Sequence, residues 1–201
     1  ALLGESPHDL SPILQELRRI KSSAELDLLR RAGSICAEAT NQAIRRTKPG
    51  MFEYELAAWA EYVYRSRGAR GAAYNPIVAS GKNIWHAHYW RNNQPLTEGD
   101  LILFDCAPDL NYYTSDIGRM WPVSGKYDAT QRRLYQFIVE YHKVLLDEIR
   151  PGRTTQEIHD ASAQRMRAYI DAMPRLLDAH VFPPLLGNDH ACFKLIPFQG
   201  K

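Results

Sequence analysis

Between Ser22 and about Arg46 the apolar residues Leu26, Leu29, Ile35, Ala39, Ala43 and Ile44 recur at three- and four-residue steps, behind a candidate N-cap at Ser22 or Ser23. That period predicts a long amphipathic helix. Pro49-Gly50 stops it, and Glu53 to Arg67 resumes the period through Leu56, Ala60 and Val63 until Gly68 and Gly71. Beyond those glycines the period shortens. Pro76 to Ala79 is β-like, Leu101-Ile102-Leu103-Phe104 is a continuous apolar run expected to be a strand buried on both faces, and Tyr112 to Ile117 is a second strand. Asp109-Leu110-Asn111-Tyr112 between them has the chemistry of a tight reversal. After Trp121-Pro122 and Gly125 the helical period returns from Ala129 to Ile149, ends at Pro151-Gly152, and resumes from about Thr155 to Ala172.

Helix, Pro-Gly corner, helix therefore occurs twice, with Pro49 and Pro151 standing 102 residues apart, and we read an internal repeat. The first unit runs about 70 residues from Pro49 to the end of its strand pair near Met120, whereas 50 residues follow Pro151. A complete second unit is not expected in that length. The tail after Pro174 is Pro-rich and has no clear period.

At 201 residues with 45% hydrophobic and 24% charged residues, composition fits a globular protein. It sets limits rather than a function. Lys+Arg 25 against Asp+Glu 23 leaves a net charge of +2, scattered along the chain. No nucleic-acid groove or membrane-surface patch is expected from such a distribution. No run approaches the roughly 20 apolar residues of a membrane span, and the first twenty residues lack the pattern of a signal peptide. Cys36, Cys106 and Cys192 are odd in number and widely spaced, which argues against a disulfide framework and for a reducing, cytoplasmic compartment.

The chemistry gathers near the apolar run. Asp105 ends it and Asp116 lies eleven residues on. A two-residue loop at Leu110-Asn111 would put the two aspartates directly opposite each other across an antiparallel pair. Facing carboxylates repel, so a cation is expected between them, and hard oxygen donors favour ions such as Mn²⁺, Mg²⁺ or Ca²⁺. The alternative is bland: Asp105 as a turn residue and Asp116 as a surface residue paired with Arg119. His88, in Trp85-His86-Ala87-His88-Tyr89-Trp90-Arg91-Asn92, is a candidate for metal binding, proton transfer or oxyanion support. On a strand it would share a face with His86. Trp85, Trp90 and Trp121 are expected in the core, and Cys106 as a buried passive thiol.

The segments "HYWRN" (His88 to Asn92), "EGDLILFDCAP" (Glu98 to Pro108), "YTSDIGRMWPVSGKY" (Tyr113 to Tyr127) and "QRRLY" (Gln131 to Tyr135) occur in this order. With "LRRIKSSAELDLLRRAG" upstream and "RPG" downstream, they resemble the first half of the catalytic domain in the aminopeptidase P and prolidase branch of the M24 metallopeptidases. The likeness covers about Leu17 to Asp171. It implies an α/β (α+β) pita-bread fold, first half complete and second half partial, with residues 1–21 as a lead-in and 22–201 as the domain, truncated at its C-terminal part. It also implies an Xaa-Pro aminopeptidase or dipeptidase with two divalent metal ions, Mn²⁺ first and Co²⁺ or Zn²⁺ as alternatives. Asp105 and Asp116 would be metal ligands, Asp116 bridging. His88 would be the catalytic group that stabilises the tetrahedral intermediate, and His88 and Tyr89 would contact a small peptide with proline at its second position.

The chain departs from the family pattern in places. Cys106-Ala107 stands where the family usually has a small residue such as glycine, and Gly118 replaces a common threonine. His180 and His190 form a misspaced echo of a later His ligand motif, and no Glu follows Asp171. A metal-free pita-bread binding module is therefore the alternative reading. A creatinase-like metal-free hydrolase is disfavoured by the intact aspartate pair. An open half-domain would expose apolar sheet, so a homo-oligomer is expected.

Overall fold

The computed structural model describes residues 9–172, and the tail carrying His180, His190 and Cys192 lies outside them. The chain divides into two compact units between Tyr127 and Asp128. Among the described residues no helix is long and apolar enough to cross a membrane.

The first unit opens with α1 (Ser11–Arg19), inside the segment expected to be a lead-in. Its apolar residues Ile13, Leu14 and Leu17 are exposed. The next helix, α2 (Ser23–Arg46), begins at the predicted cap: Glu25 N–H donates to Ser22 Oγ (3.3 Å) and Ser22 N–H to Glu25 Oε2 (2.6 Å). The left-handed Gly50 (φ 85) makes the corner to α3 (Glu53–Ser66). Ala32, Ile35, Ala39 and Ala43 of α2 then meet Leu56, Ala60 and Val63 of α3 in one core. Small residues on α2 let the two backbones approach.

Six strands follow. β1 (Gly71–Ala72), β4 (Pro108–Leu110) and β5 (Tyr113–Thr114) form one antiparallel sheet in the order β1-β4-β5. β2 (Ile77–Ser80), β3 (Leu101–Cys106) and β6 (Ile117–Pro122) form another in the order β2-β3-β6. The single strand expected over Tyr112 to Ile117 is thus two, broken at Ser115-Asp116 where pairing passes between sheets. Burial in β3 alternates. Ile102, Phe104 and Cys106 are fully buried in the core shared with α2 and α3, while Leu101, Leu103 and Asp105 are half-buried on the other face. The expectation of a strand buried on both faces is corrected accordingly.

The reversal also differs from the expected one. The loop is Asn111-Tyr112, both left-handed (φ 53 and 68), with Leu110 paired to Tyr113. Leu110 is 2% exposed, and an apolar side chain held in the core is withheld from a solvated turn. Arg70 braces the loop, stacked 4.1 Å over the Tyr112 ring. Asp105 is consequently opposite Gly118 instead of Asp116. A two-residue shift preserves the pleat, so it does not change which face a residue occupies.

The described second unit is helical: α4 (Ala129–Glu148), α5 (Thr155–Arg165) and α6 (Arg167–Ala172). Asp128 caps α4 and Thr154 caps α5, each with the reciprocal bond from residue N3. Gly152 (φ 87) turns the corner between them as Gly50 does in the first unit, in keeping with the repeat. The helix expected from Thr155 to Ala172 is interrupted at Met166.

Candidate active site

Asp105 is on the outer face of β3, between Ile77 of β2 and Gly118 of β6. Asp116 is exposed in the gap before β6, where the register of both flanking strand pairs puts it opposite Ala107. The two aspartates come together at Tyr74. β1 pairs with β4, and Ala73 N–H then donates to the Ala107 carbonyl (2.8 Å), which sets the next residue beside the gap. The Tyr74 hydroxyl lies 2.5 Å from Asp105 Oδ1 and 3.2 Å from Asp116 Oδ1.

One hydroxyl has one proton, and two carboxylates compete for it. Burial first, then the hydrogen bond to Asp105 and the nearby charges, push the Tyr74 phenol far above its ordinary range. It stays a donor. Among the described residues neither aspartate forms an ion pair with Lys or Arg. The bland pairing of Asp116 with Arg119 is not found, since Arg119 Nη1 donates instead to the Gly118 carbonyl (2.7 Å). The donor set is hard, anionic and short of positive charge, and it fits a divalent cation. Among the described residues no three His, Cys, Asp or Glu side chains gather as a metal cluster, so His88 does not join the pair as a third ligand. Cys106 is turned into the core, where burial raises its thiol well above the usual range.

His88 is exposed on an irregular loop rather than a strand. A 3-10 helix over Gly81–Trp85 is followed by a turn in which Tyr89 N–H donates to the His86 carbonyl (3.1 Å). His88 itself is left-handed (φ 54), so the shared face expected for His86 and His88 does not form. Tyr89, expected beside the substrate, is 8% exposed, and its hydroxyl donates to Glu53 Oε2 (2.8 Å). Asn92 is also buried, donating to the Pro76 carbonyl (2.7 Å) and accepting from Val78 N–H (3.0 Å). Trp121 is in the core as expected. Trp85 and Trp90, by contrast, are 55% and 67% exposed on either side of His88.

Sequence reasoning missed Tyr74 and Glu53. A tyrosine beside a predicted strand start was the available signal for Tyr74. Glu53 gave none beyond being an acidic residue in the first turn of a helix.

Comparison with known proteins gives a consistent set of relatives. The sequence model described as metallopeptidase family M24 matches residues 27–189. A curated Xaa-Pro aminopeptidase of Escherichia coli is 39% identical over 150 residues, covering 75% of this chain and 34% of that protein. The chain thus spans about a third of the length of this relative. Two solved variants of Escherichia coli aminopeptidase P superpose with TM-scores of 0.78 and 0.73 at 35% and 32% identity. Each alignment covers 83% of this chain, and 37% and 42% of the respective variant. In each variant one aspartate is replaced by alanine, and the two replaced aspartates are eleven positions apart.

Proposed function

Since the chain belongs to metallopeptidase family M24 and carries part of its α/β pita-bread fold, we propose that it supplies one half of the active site of an Xaa-Pro aminopeptidase. The observation that carries this reading is the single Tyr74 hydroxyl within hydrogen-bonding reach of one carboxylate from each arm of the hairpin. The eleven-residue spacing of Asp105 and Asp116 equals that of the aspartates replaced in the two Escherichia coli variants, which supports the same assignment.

Asp105 and Asp116 would hold two divalent cations, Mn²⁺ first and Co²⁺ or Zn²⁺ as alternatives. Bound there, the ions would lower the pKa of a water and polarise the scissile carbonyl. Tyr74, kept protonated, would orient the Asp105 carboxylate by its hydrogen bond. His88 would donate a ring N–H to the carbonyl oxygen as negative charge develops there. Tyr89 would serve the substrate through the loop it anchors, its hydroxyl being committed to Glu53. The substrate is a small peptide with proline second, and the working form is a cytoplasmic homo-oligomer. Cytoplasm agrees with Cys36 and Cys106, which are buried and free.

Two carboxylates leave most coordination positions to water, so the 201-residue chain alone is expected to be weakly active or inactive. Metal analysis after Mn²⁺ loading and mild dialysis tests the assignment. The native chain should retain metal that both Asp105→Asn and Asp116→Asn lose. A native chain free of metal supports the metal-free binding module. Rapid release of the first residue of an Xaa-Pro peptide by the chain alone would contradict the expected inactivity.

A further inference from the structure

The loop that displays His88 packs through Tyr89 and Ile84 against Ile77 and Ala79, and most of the rest of it lies open. Trp85, His86, Ala87, His88, Trp90 and Arg91 are all exposed. Its shape is set by a buried carboxylate at the start of α3. Glu53 is 0% exposed, and its Oε1 accepts from Ser80 N–H (2.7 Å), Ser80 Oγ (2.8 Å) and Asn83 Nδ2 (3.1 Å). Its Oε2 accepts from Tyr89 Oη (2.8 Å) and Gln94 N–H (3.1 Å). The Glu53 N–H in turn donates to the Gln94 carbonyl (3.0 Å). A fully buried carboxylate is tolerable when its lone pairs are met, and here neutral donors from the beginning, middle and end of the 80–94 segment meet them. Asn92 adds a second anchor, onto the backbone of Pro76 just before β2 and of Val78 within it, on either side of Ile77, the residue opposite Asp105.

We propose that Glu53 is a positioning residue for His88. It fixes the loop on either side of that histidine and thereby holds the imidazole at its place relative to the Asp105 and Asp116 pair. The proposal rests on the reading of that pair as a metal site, but the clamp itself does not depend on it. Of the three named positions in the His-Tyr-x-x-Asn segment, Tyr89 and Asn92 become anchors and His88 is displayed. A carboxylate is required because both oxygens must accept. An amide at the same place would turn an N–H₂ group toward one of the two donor sets.

The test compares the full chain with Glu53→Gln, and with Tyr89→Phe, which removes one donor and keeps the carboxylate. Amide hydrogen exchange across residues 86–92 should quicken about ten-fold or more in Glu53→Gln. It should quicken less in Tyr89→Phe, with β3 and β6 unchanged in both. Unaltered exchange in the loop overturns the proposal, and if Glu53→Gln does not fold, Tyr89→Phe decides by the same measure. The second readout is broadening of the His88 ring resonances by Mn²⁺. It should fall in Glu53→Gln while the amount of bound Mn²⁺ stays at the native value, an outcome that general loosening of the fold would not give. Metal lost along with the broadening overturns a positioning role. A native chain that takes up no Mn²⁺ defeats the metal-site reading alone, and hydrogen exchange still settles the clamp.

Discussion

The side chains of β3 that face α2 and α3 and those that face away occupy different physical settings. On the helix side Ile102, Phe104 and Cys106 are 0% exposed, Phe104 lies 5.5 Å from the Trp121 ring, and the Cys36 thiol donates to the Cys106 carbonyl (3.0 Å). On the other side Leu103 packs partly against Ile77, Ala79 and Tyr89, and Asp105 meets a tyrosine proton and a second acid. Because side chains alternate along a strand, the residues that fill the core and the residue that carries charge are adjacent in sequence yet separated by the sheet. Stability and chemistry should therefore respond to different substitutions one residue apart.

The largest contrast is expected between Phe104→Ala and Asp105→Asn. Removing a fully buried phenylalanine costs about 3–5 kcal/mol, read as a lowered urea midpoint. Asp105→Asn removes one of two like charges that share a single donor, so the change should stay within about 1 kcal/mol in either direction. Metal retention should reverse the order, with Phe104→Ala keeping it while folded and Asp105→Asn losing it. Equal stability losses in the two variants would mean that the faces are not independent.

A smaller effect should appear as a dependence of stability on alkaline pH. Tyr64 of α3 is fully buried on the helix side with its hydroxyl 3.7 Å from Cys36 Sγ. Burial, followed by the neighbouring cysteines, raises its phenol far above the ordinary 10.0. Cys36 and Cys106 are raised above 9.0, mainly by burial. Groups whose folded pKa is raised keep a proton that the unfolded chain gives up. Their contribution is fully present below the unfolded value and is lost as pH climbs past it. Stability should fall above about pH 9 through the thiols and more steeply above about pH 10 through Tyr64 on the helix side and Tyr74 on the aspartate side. Tyr64→Phe should cost about 1 kcal/mol at neutral pH and flatten the upper part of that fall by about 1.4 kcal/mol per pH unit. Urea unfolding at a series of alkaline pH values measures the slope, and an unchanged slope would place the ionising group elsewhere.

Helices α2 to α5 were legible because their instructions are local, whereas α1, which buries no residue, fell in the segment read as a lead-in. Ser22 with Glu25 is a cap written within four residues and readable as such, the apolar period supplied the rest, and the structure adds Asp128 with Gln131 and Thr154 with Glu157. The aspartate pair was legible as a hairpin, but its register was read two residues early. The loop was assigned from turn-forming side chains, whereas the burial of Leu110, a tertiary fact, decided where the chain could turn. Tyr74 and Glu53 were illegible for the same reason at longer range. Tyr74 meets acids 31 and 42 residues away, and four of the five bonds to the Glu53 carboxylate come from 27 to 36 residues away. The segment around His88 has an aromatic composition that suits a strand. Two buried polar anchors and two left-handed residues, His88 and Asn92, bend it into a loop instead.

The smallest effect lies at the boundary between the two faces' roles, at Gly118. It pairs with Asp105, its φ is not left-handed, and a Cβ built there meets nothing within 4 Å. Glycine in a strand interior forgoes side-chain packing and leaves more chain entropy to be lost on folding. Gly118→Thr should therefore raise stability by tenths of a kcal/mol to about 1 kcal/mol, because a β-branched side chain suits the extended backbone of a strand. Its hydroxyl would stand beside the Asp105 carboxylate and could restrain it, so Mn²⁺ should be held more tightly, up to roughly ten-fold. Gly118→Ala separates the two contributions, since it has a Cβ but no donor and should improve stability without improving metal retention. If threonine and alanine gain equally in metal affinity, strand stiffness rather than a hydrogen bond orients Asp105. If threonine weakens metal binding, the open space beside Asp105 is itself part of the site, needed by the ion or its water, and the glycine is then a functional choice rather than a loss of support.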